Sequence, residues 1–108
     1  MKAGTREKQQ TAKPRGETYV FRLFVAGNES NSSQARGNLA RLCEEHLKGH
    51  FEIETVNVLR DAATAYKYNV LLTPTLILIK PPPKVTVVGN LSDNQQVLAA
   101  LGLTGNGR

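Results

Sequence analysis

The run Lys67-Tyr68-Asn69-Val70-Leu71-Leu72-Thr73-Pro74-Thr75-Leu76-Ile77-Leu78-Ile79-Lys80 constrains this chain more than any other stretch. A polar, tyrosine-bearing segment meets Thr73-Pro74, and an almost unbroken apolar strand follows. Proline has no N–H to give a sheet ladder, so Pro74 belongs at the first position of that strand or on an edge. Its ring also makes Thr73–Pro74 a bond at which the cis form costs only about 0.5–1 kcal/mol. The pattern predicts a buried strand over Thr75–Lys80, entered through a threonine–proline turn.

Other elements fall into place around it. Thr18–Ala26 is rich in β-branched and aromatic residues, with Arg22 its single charge, and reads as a central strand buried on most of both faces. Gly27-Asn28 ends it. From about Ser32 to Lys48, Ala35, Leu39, Leu42, Cys43 and Leu47 recur at helical spacing, and Gly49 suits a left-handed stop. Gly37 inside that helix suggests a close approach to the first strand. Phe51–Leu59 reads as a second strand, parallel to the first because a helix joins them. Asp61 caps a short helix through Ala62, Ala63, Ala65 and Tyr66. Pro81-Pro82-Pro83 predicts a stiff extended bend, and Val85–Val88 a fourth strand ended by Gly89-Asn90. Ser92 and Gln95 form a capping box for a last helix whose apolar face is Val97, Leu98 and Leu101. The expected order is β-α-β-α-β-β-α, an α/β fold with a mixed four-stranded sheet. A buried strand entered through a threonine–proline turn within that order resembles the thioredoxin-like fold.

At 108 residues the chain is expected to hold one domain. Its net charge of +5 is a property of the ends. In residues 1–17, Lys2, Arg6, Lys8, Lys13 and Arg15 against Glu7 and Glu17 leave +3, and Arg108 adds one more. Residues 1–17 therefore read as a disordered basic leader, 18–104 as the folded domain and 105–108 as a loose tail. Weak, salt-sensitive contact of that leader with polyanions is a minor reading, because the domain lacks a basic stripe interleaved with aromatics. No apolar stretch reaches the roughly 20 residues that span a bilayer, and the basic start has no apolar segment behind it. A cytoplasmic location is the expectation.

Candidate chemistry is sparse. Cys43 is the single cysteine, so no disulfide forms within the chain and no Cys-x-x-Cys partner lowers its pKa. A thiol on the apolar stripe of a helix is expected to be buried and inert. A redox protein working through Cys43 alone is the competing reading. His46 and His50 have the spacing of a metal pair, but Gly49 breaks the helix between them and no further ligand is near in sequence. Glu44 and Glu45 point about 100° apart on a helix, which suits no paired-carboxylate chemistry. No phosphate-cradling glycine loop ends in lysine and serine or threonine. No metal or cofactor site is expected, and the chain is expected not to be an enzyme.

Four motifs carry a further resemblance: Phe24-Val25-Ala26-Gly27-Asn28, Thr73-Pro74-Thr75-Leu76, Pro81-Pro82-Pro83 and Gly89-Asn90-Leu91-Ser92. In this order and spacing, across residues 18–103, they look like the KaiB family of circadian-clock proteins. The resemblance implies a thioredoxin-like relative without redox chemistry that binds other proteins. It implies docking on a KaiC-type ATPase in a circadian or timing and stress system, with KaiA or a histidine kinase carrying a KaiB-like domain as further partners. A thioredoxin-fold signalling adaptor that binds a histidine kinase is the alternative. It also implies a possible switch from a tetrameric ground state of order β-α-β-β-α-α-β to the thioredoxin-like binding state. Monomer, dimer and homotetramer are thus all compatible with it.

Site residues follow residue by residue. Gly27 and Asn28 occupy the place where thioredoxin carries its active site, Pro74 shapes the adjoining strand entry, and Gly89 belongs to the fourth motif. Pro81, Pro82 and Pro83 form a rigid bend and a docking edge. Clock members read Gly-Leu-Asp in the last helix where this chain has Ala100-Leu101-Gly102, so Ala100 and Gly102 mark the region that balances the two folds. Basic residues near the clock members' partner surface are replaced here by Glu54, Asn69, Leu78 and Thr86. The expected contact surface is the exposed edge of the second strand and the ground around the first two helices.

Overall fold

The computed structural model describes residues 17–103. The expected leader and tail lie, apart from Glu17, outside the described residues. Tyr19–Val25 forms β1, whose alternate side chains point to opposite faces. Tyr19, Phe21, Leu23 and Val25 enter one core and Phe24 another. A strand with bulky apolar groups on both faces has to lie inside a sheet, and β1 does. β2 (Phe51–Asn57) runs parallel to it, with Tyr19 opposite Phe51 and Val25 opposite Asn57. β3 (Thr75–Lys80) runs antiparallel on its other side, and β4 (Val85–Val88) pairs antiparallel with β3. The strand order is β2-β1-β3-β4, which leaves β2 and β4 as edges.

Helices α1 (Ser30–His46), α2 (Ala62–Lys67) and α3 (Asn94–Ala100) complete the order β-α-β-α-β-β-α. This is the thioredoxin-like arrangement, not the β-α-β-β-α-α-β alternative. α1 and α3 cover one sheet face, burying Leu39, Leu42, Cys43, Val97 and Leu98 against β1 and β3. The other face is covered more thinly. There Phe24, Val56, Ile77 and Ala65 of α2 form a small cluster, and the Tyr68 ring lies 5.8 Å from that of Phe24. The contrast between a thick and a thin cover decides where surface is left for other molecules.

Several local expectations change. α1 starts at Ser30, two residues earlier than the apolar stripe suggests, because Glu29 caps it by accepting from the N–H groups of Asn31 and Ser32. Ser32 is fully buried, and its Oγ accepts from Ala26 N at 3.1 Å. The helix ends at His46, before the left-handed Gly49. α3 is capped by Asp93, which accepts from Gln96 N, and not by Ser92. Ser92 N instead donates to Asn90 Oδ1, which holds residues 90–92 in a turn and moves the helix start on by one. Leu78, matched to a surface position by the resemblance, is core because its register partner is Phe21.

The Pro81–Pro83 bend is tight instead of extended. Leu78 pairs with Val85, so the chain must reverse within the intervening residues. The Lys80–Pro81 and Pro82–Pro83 bonds are cis, as is Thr73–Pro74.

Gly37 makes no close approach: it is exposed, and an added Cβ would meet nothing within 4 Å. Without a packing reason, glycine costs an exposed helix interior about 1 kcal/mol relative to alanine. Gly37→Ala is therefore expected to raise the thermal midpoint by about 4–8 °C. A fall in midpoint, read by circular dichroism, would restore the close-approach reading.

The caps also fix a response to acid. Backbone hydrogen bonds from Asn31 and Ser32 hold the Glu29 carboxyl below its usual value of 4.5. The Thr64 hydroxyl and N–H do the same for Asp61, the cap of α2, against a usual 3.8. A pKa lowered by folding contributes stability that is fully present above the unfolded value and is lost as pH falls through the folded one. Both helix starts are expected to hold at pH 5 and to loosen as pH falls below 4.5 and then 3.8. Amide resonances of Asn31, Ser32 and Thr64 should move in that window, and an unchanged spectrum down to pH 3 would contradict it.

Candidate protein-interaction surface

The strand directions bring four connections to one end of the sheet: those after β1, β2 and β4, and the one before β3. Gly27 opens the first with φ +57°, a left-handed conformation that suits glycine, and an added Cβ would sit in ordinary contact with Leu59 Cδ1 at 3.4 Å. Its N–H donates to Asn57 Oδ1 at 3.0 Å, and its carbonyl accepts from Arg36 Nη2 at 2.7 Å. Asn57 Oδ1 also accepts from Leu59 N. The Gly27-Asn28 turn is thus clamped from β2 and from α1, with Asn28 left exposed. Gly89 N donates to the carbonyl of Pro74 at 2.9 Å, so two predicted site residues are joined directly. The Asn90 carbonyl accepts from Asn38 Nδ2 at 2.8 Å, and Asn90 Nδ2 donates to Gln34 Oε1. That fastens the β4–α3 connection to α1.

Sequence reasoning gathered Gly27, Asn28, Pro74 and Gly89, and all four lie at this end. Pro81, Pro82 and Pro83 do not. They lie at the opposite end with Ala100 and Gly102, around a 230 Å³ depression that Tyr19 and Leu78 also line. The predicted residues therefore divide into two groups with the sheet between them.

The residues that sequence reasoning missed are apolar. Leu71 is 92% exposed, Leu72 64% and Val88 56%. With Val70, Thr75 and Thr86 they line a shallow groove of about 220 Å³ beside β4. Left-handed Asn69 turns the chain out of α2, and Val70 N returns to the Ala65 carbonyl, so the next two leucines project outward. Tyr66 and Leu59 are also exposed. The signal was present as two adjacent leucines ahead of Thr73-Pro74, but an apolar pair without period does not reveal which way it faces.

Reactive groups are absent from this end among the described residues. Cys43 is completely buried in the main core, and burial first, then the Glu44 charge, pushes its thiol up to about 12. A thiol so protonated at neutral pH is a poor nucleophile. No group of three or more metal-ligating side chains occurs among the described residues. No described helix is long and apolar enough to cross a membrane. The start of α1 holds no free anion site of the kind a thiolate would use, because the Glu29 carboxylate already fills it.

A protein-family model for the KaiB domain matches residues 22–103. The chain belongs to the KaiB family. It is 40% identical over 87 residues to the circadian clock oscillator protein KaiB of Rippkaea orientalis, covering 81% of this chain and 84% of that one. To the KaiB of Trichodesmium erythraeum it is 39% identical over 90 residues, covering 83% and 86%. Among solved structures it resembles the N-terminal domain of Synechococcus elongatus SasA, with TM-score 0.67, 16% identity and coverage of 93% and 98%. It also resembles Fasciola hepatica thioredoxin, with TM-score 0.63, 19% identity and coverage of 81% and 82%. At such identities these structures speak for the fold alone. KaiB membership and a thioredoxin-like architecture thus meet in one chain whose lone thiol is enclosed.

Proposed function

We propose that this chain is a non-enzymatic KaiB-type regulator that docks on a KaiC-type ATPase in a timing system. The observation that carries the reading is the exposed apolar groove of Leu71, Leu72 and Val88, held at the same end of the sheet as Gly27-Asn28 and Pro74. Adjacent large apolar side chains left in water mark binding surfaces more often than they serve a monomer. The clock name of the relatives supports a role in a timing system, and the ATPase is the partner that the family resemblance implies. KaiA, or a histidine kinase with a KaiB-like domain competing for the same ATPase, follows as a further partner. The β2 edge, with Glu52 and Glu54 exposed along it, offers a second and more polar surface.

Capture of the KaiC-type ATPase from the same genome tests this. The immobilised full chain should retain the ATPase with ATP or ADP present, and more in one nucleotide state than in the other. No retention in either state would remove the reading.

A further inference from the structure

The groove at Leu71 and Leu72 does not end there. It shares Asn69 and Thr86 with a second depression of about 320 Å³, floored by Tyr68 and Ile77 and flanked by Lys67 and Lys84. The two form one trough on the sheet face, between the segment that leaves α2 and β4, with Ile77 of β3 in its floor. Its ends differ in chemistry: two ammonium groups at one, exposed leucines and Val88 at the other. Arg22 does not contribute free charge, because it pairs with Glu54 at 2.8 Å and bonds to the Tyr68 hydroxyl. Those contacts fix the Tyr68 ring, over which the Lys84 ammonium lies 5.7 Å from the centroid. Among the described residues Arg22 pairs with Glu54 and Glu45 lies 3.9 Å from His46, so Lys67 and Lys84 have no carboxylate partner there.

We propose that this trough takes an extended segment of a partner protein laid along β4, acidic at one end and apolar at the other, which deepens the docking reading and rests on it. Charge complementarity chooses the occupant: two uncompensated lysines beside an aromatic floor call for carboxylates. Spacing chooses its pattern. Lys84, just ahead of β4, and Thr86 and Val88 within it line the trough at a two-residue period, so Lys84 and Val88 are about 13 Å apart at roughly 3.3 Å per residue. The segment therefore carries its acidic side chains and its bulky apolar ones about four positions apart. As an edge strand in this sheet, β4 offers backbone groups that such a segment can pair with.

Labelled synthetic peptides test this by fluorescence anisotropy on the full chain, with amide shifts mapping the site. One carries two aspartates and, four positions on, two leucines; another reverses that order, and controls keep only the aspartates or only the leucines. The better of the two spaced peptides is expected to bind at least tenfold tighter than either control, and to weaken as salt rises. Both lysines are exposed, so the double variant Lys67→Glu, Lys84→Glu should keep its thermal midpoint. It should lose the acidic peptide at least tenfold and gain one in which lysines replace the aspartates. Equal binding of spaced and control peptides, shifts confined to β2, or an unaffected double variant would overturn the proposal. So would a dimer that the double variant dissolves, because a second copy would then be the occupant. A chain that captures the ATPase yet ignores every peptide defeats this inference alone. Peptide binding with no ATPase capture supports it and defeats the choice of ATPase.

Discussion

Replacing Leu71 and Leu72 together by aspartate is expected to abolish ATPase capture while leaving the fold intact. Both side chains already stand mostly in water, so their removal takes nothing from either core. Burying a leucine against a partner contributes about 1.5–3 kcal/mol. Two of them, replaced by charges that the interface would have to desolvate, should weaken binding by more than a hundredfold. The thermal midpoint should move by no more than about 4–8 °C, because exposed substitutions seldom cost more than about 0.5 kcal/mol each. Titrations of both proteins against the same ATPase preparation check this. Undiminished binding would move the docking surface elsewhere, with the β2 edge next in line.

The opposite end of the sheet supplies the second large effect. Ala100 is the last residue of α3, and Gly102 follows with φ +73°, its N–H donating to the Ala99 carbonyl at 3.1 Å. Leu103 N then donates to the Leu98 carbonyl at 2.8 Å, which closes the helix. Alanine favours the helical residue, and glycine favours the left-handed one. Substituting Gly at 100 and Asp at 102 reverses both preferences, at about 1 kcal/mol each. The double variant Ala100→Gly, Gly102→Asp should therefore lose about 2 kcal/mol of the thioredoxin-like state, near thirtyfold in its equilibrium constant. If the chain retains the second fold implied by its resemblance, this variant should show a second set of amide resonances and a tetramer peak in size exclusion. Simple destabilisation without that set would mean that the alternative fold has been lost. An unchanged denaturation midpoint would refute the account of α3.

How much of this was legible beforehand depended on periodicity. The β-branched and aromatic run through Tyr19–Val25, the helical stripe from Ala35 to Leu47 and the apolar run behind Pro74 place β1, α1 and β3, because each encodes which residues are buried. Asp61 was readable as a cap because its partner Thr64 is three residues away. Contacts between distant residues were not. Asn57 holding Gly27 bridges 30 positions, and Asn38 holding Asn90 bridges 52. The cap of α3 shifted from Ser92 to Asp93 because Asn90 claimed Ser92 first, a competition that the S-x-x-Q pattern does not contain. Leu78 and Leu71 make the same point: both are leucines, and only strand register and the turn at Asn69 send one inward and the other into water.

The most direct test of a binding surface without thiol chemistry is an amide-shift titration of the Cys43→Ala variant with the KaiC-type ATPase. The variant should bind within about twofold of the parent chain, since a buried, protonated thiol has no part in docking. Line broadening should concentrate at Asn69–Leu72 and Thr86–Val88. Loss of binding without loss of fold, or disulfide-reducing turnover by the parent chain that the variant lacks, would contradict it.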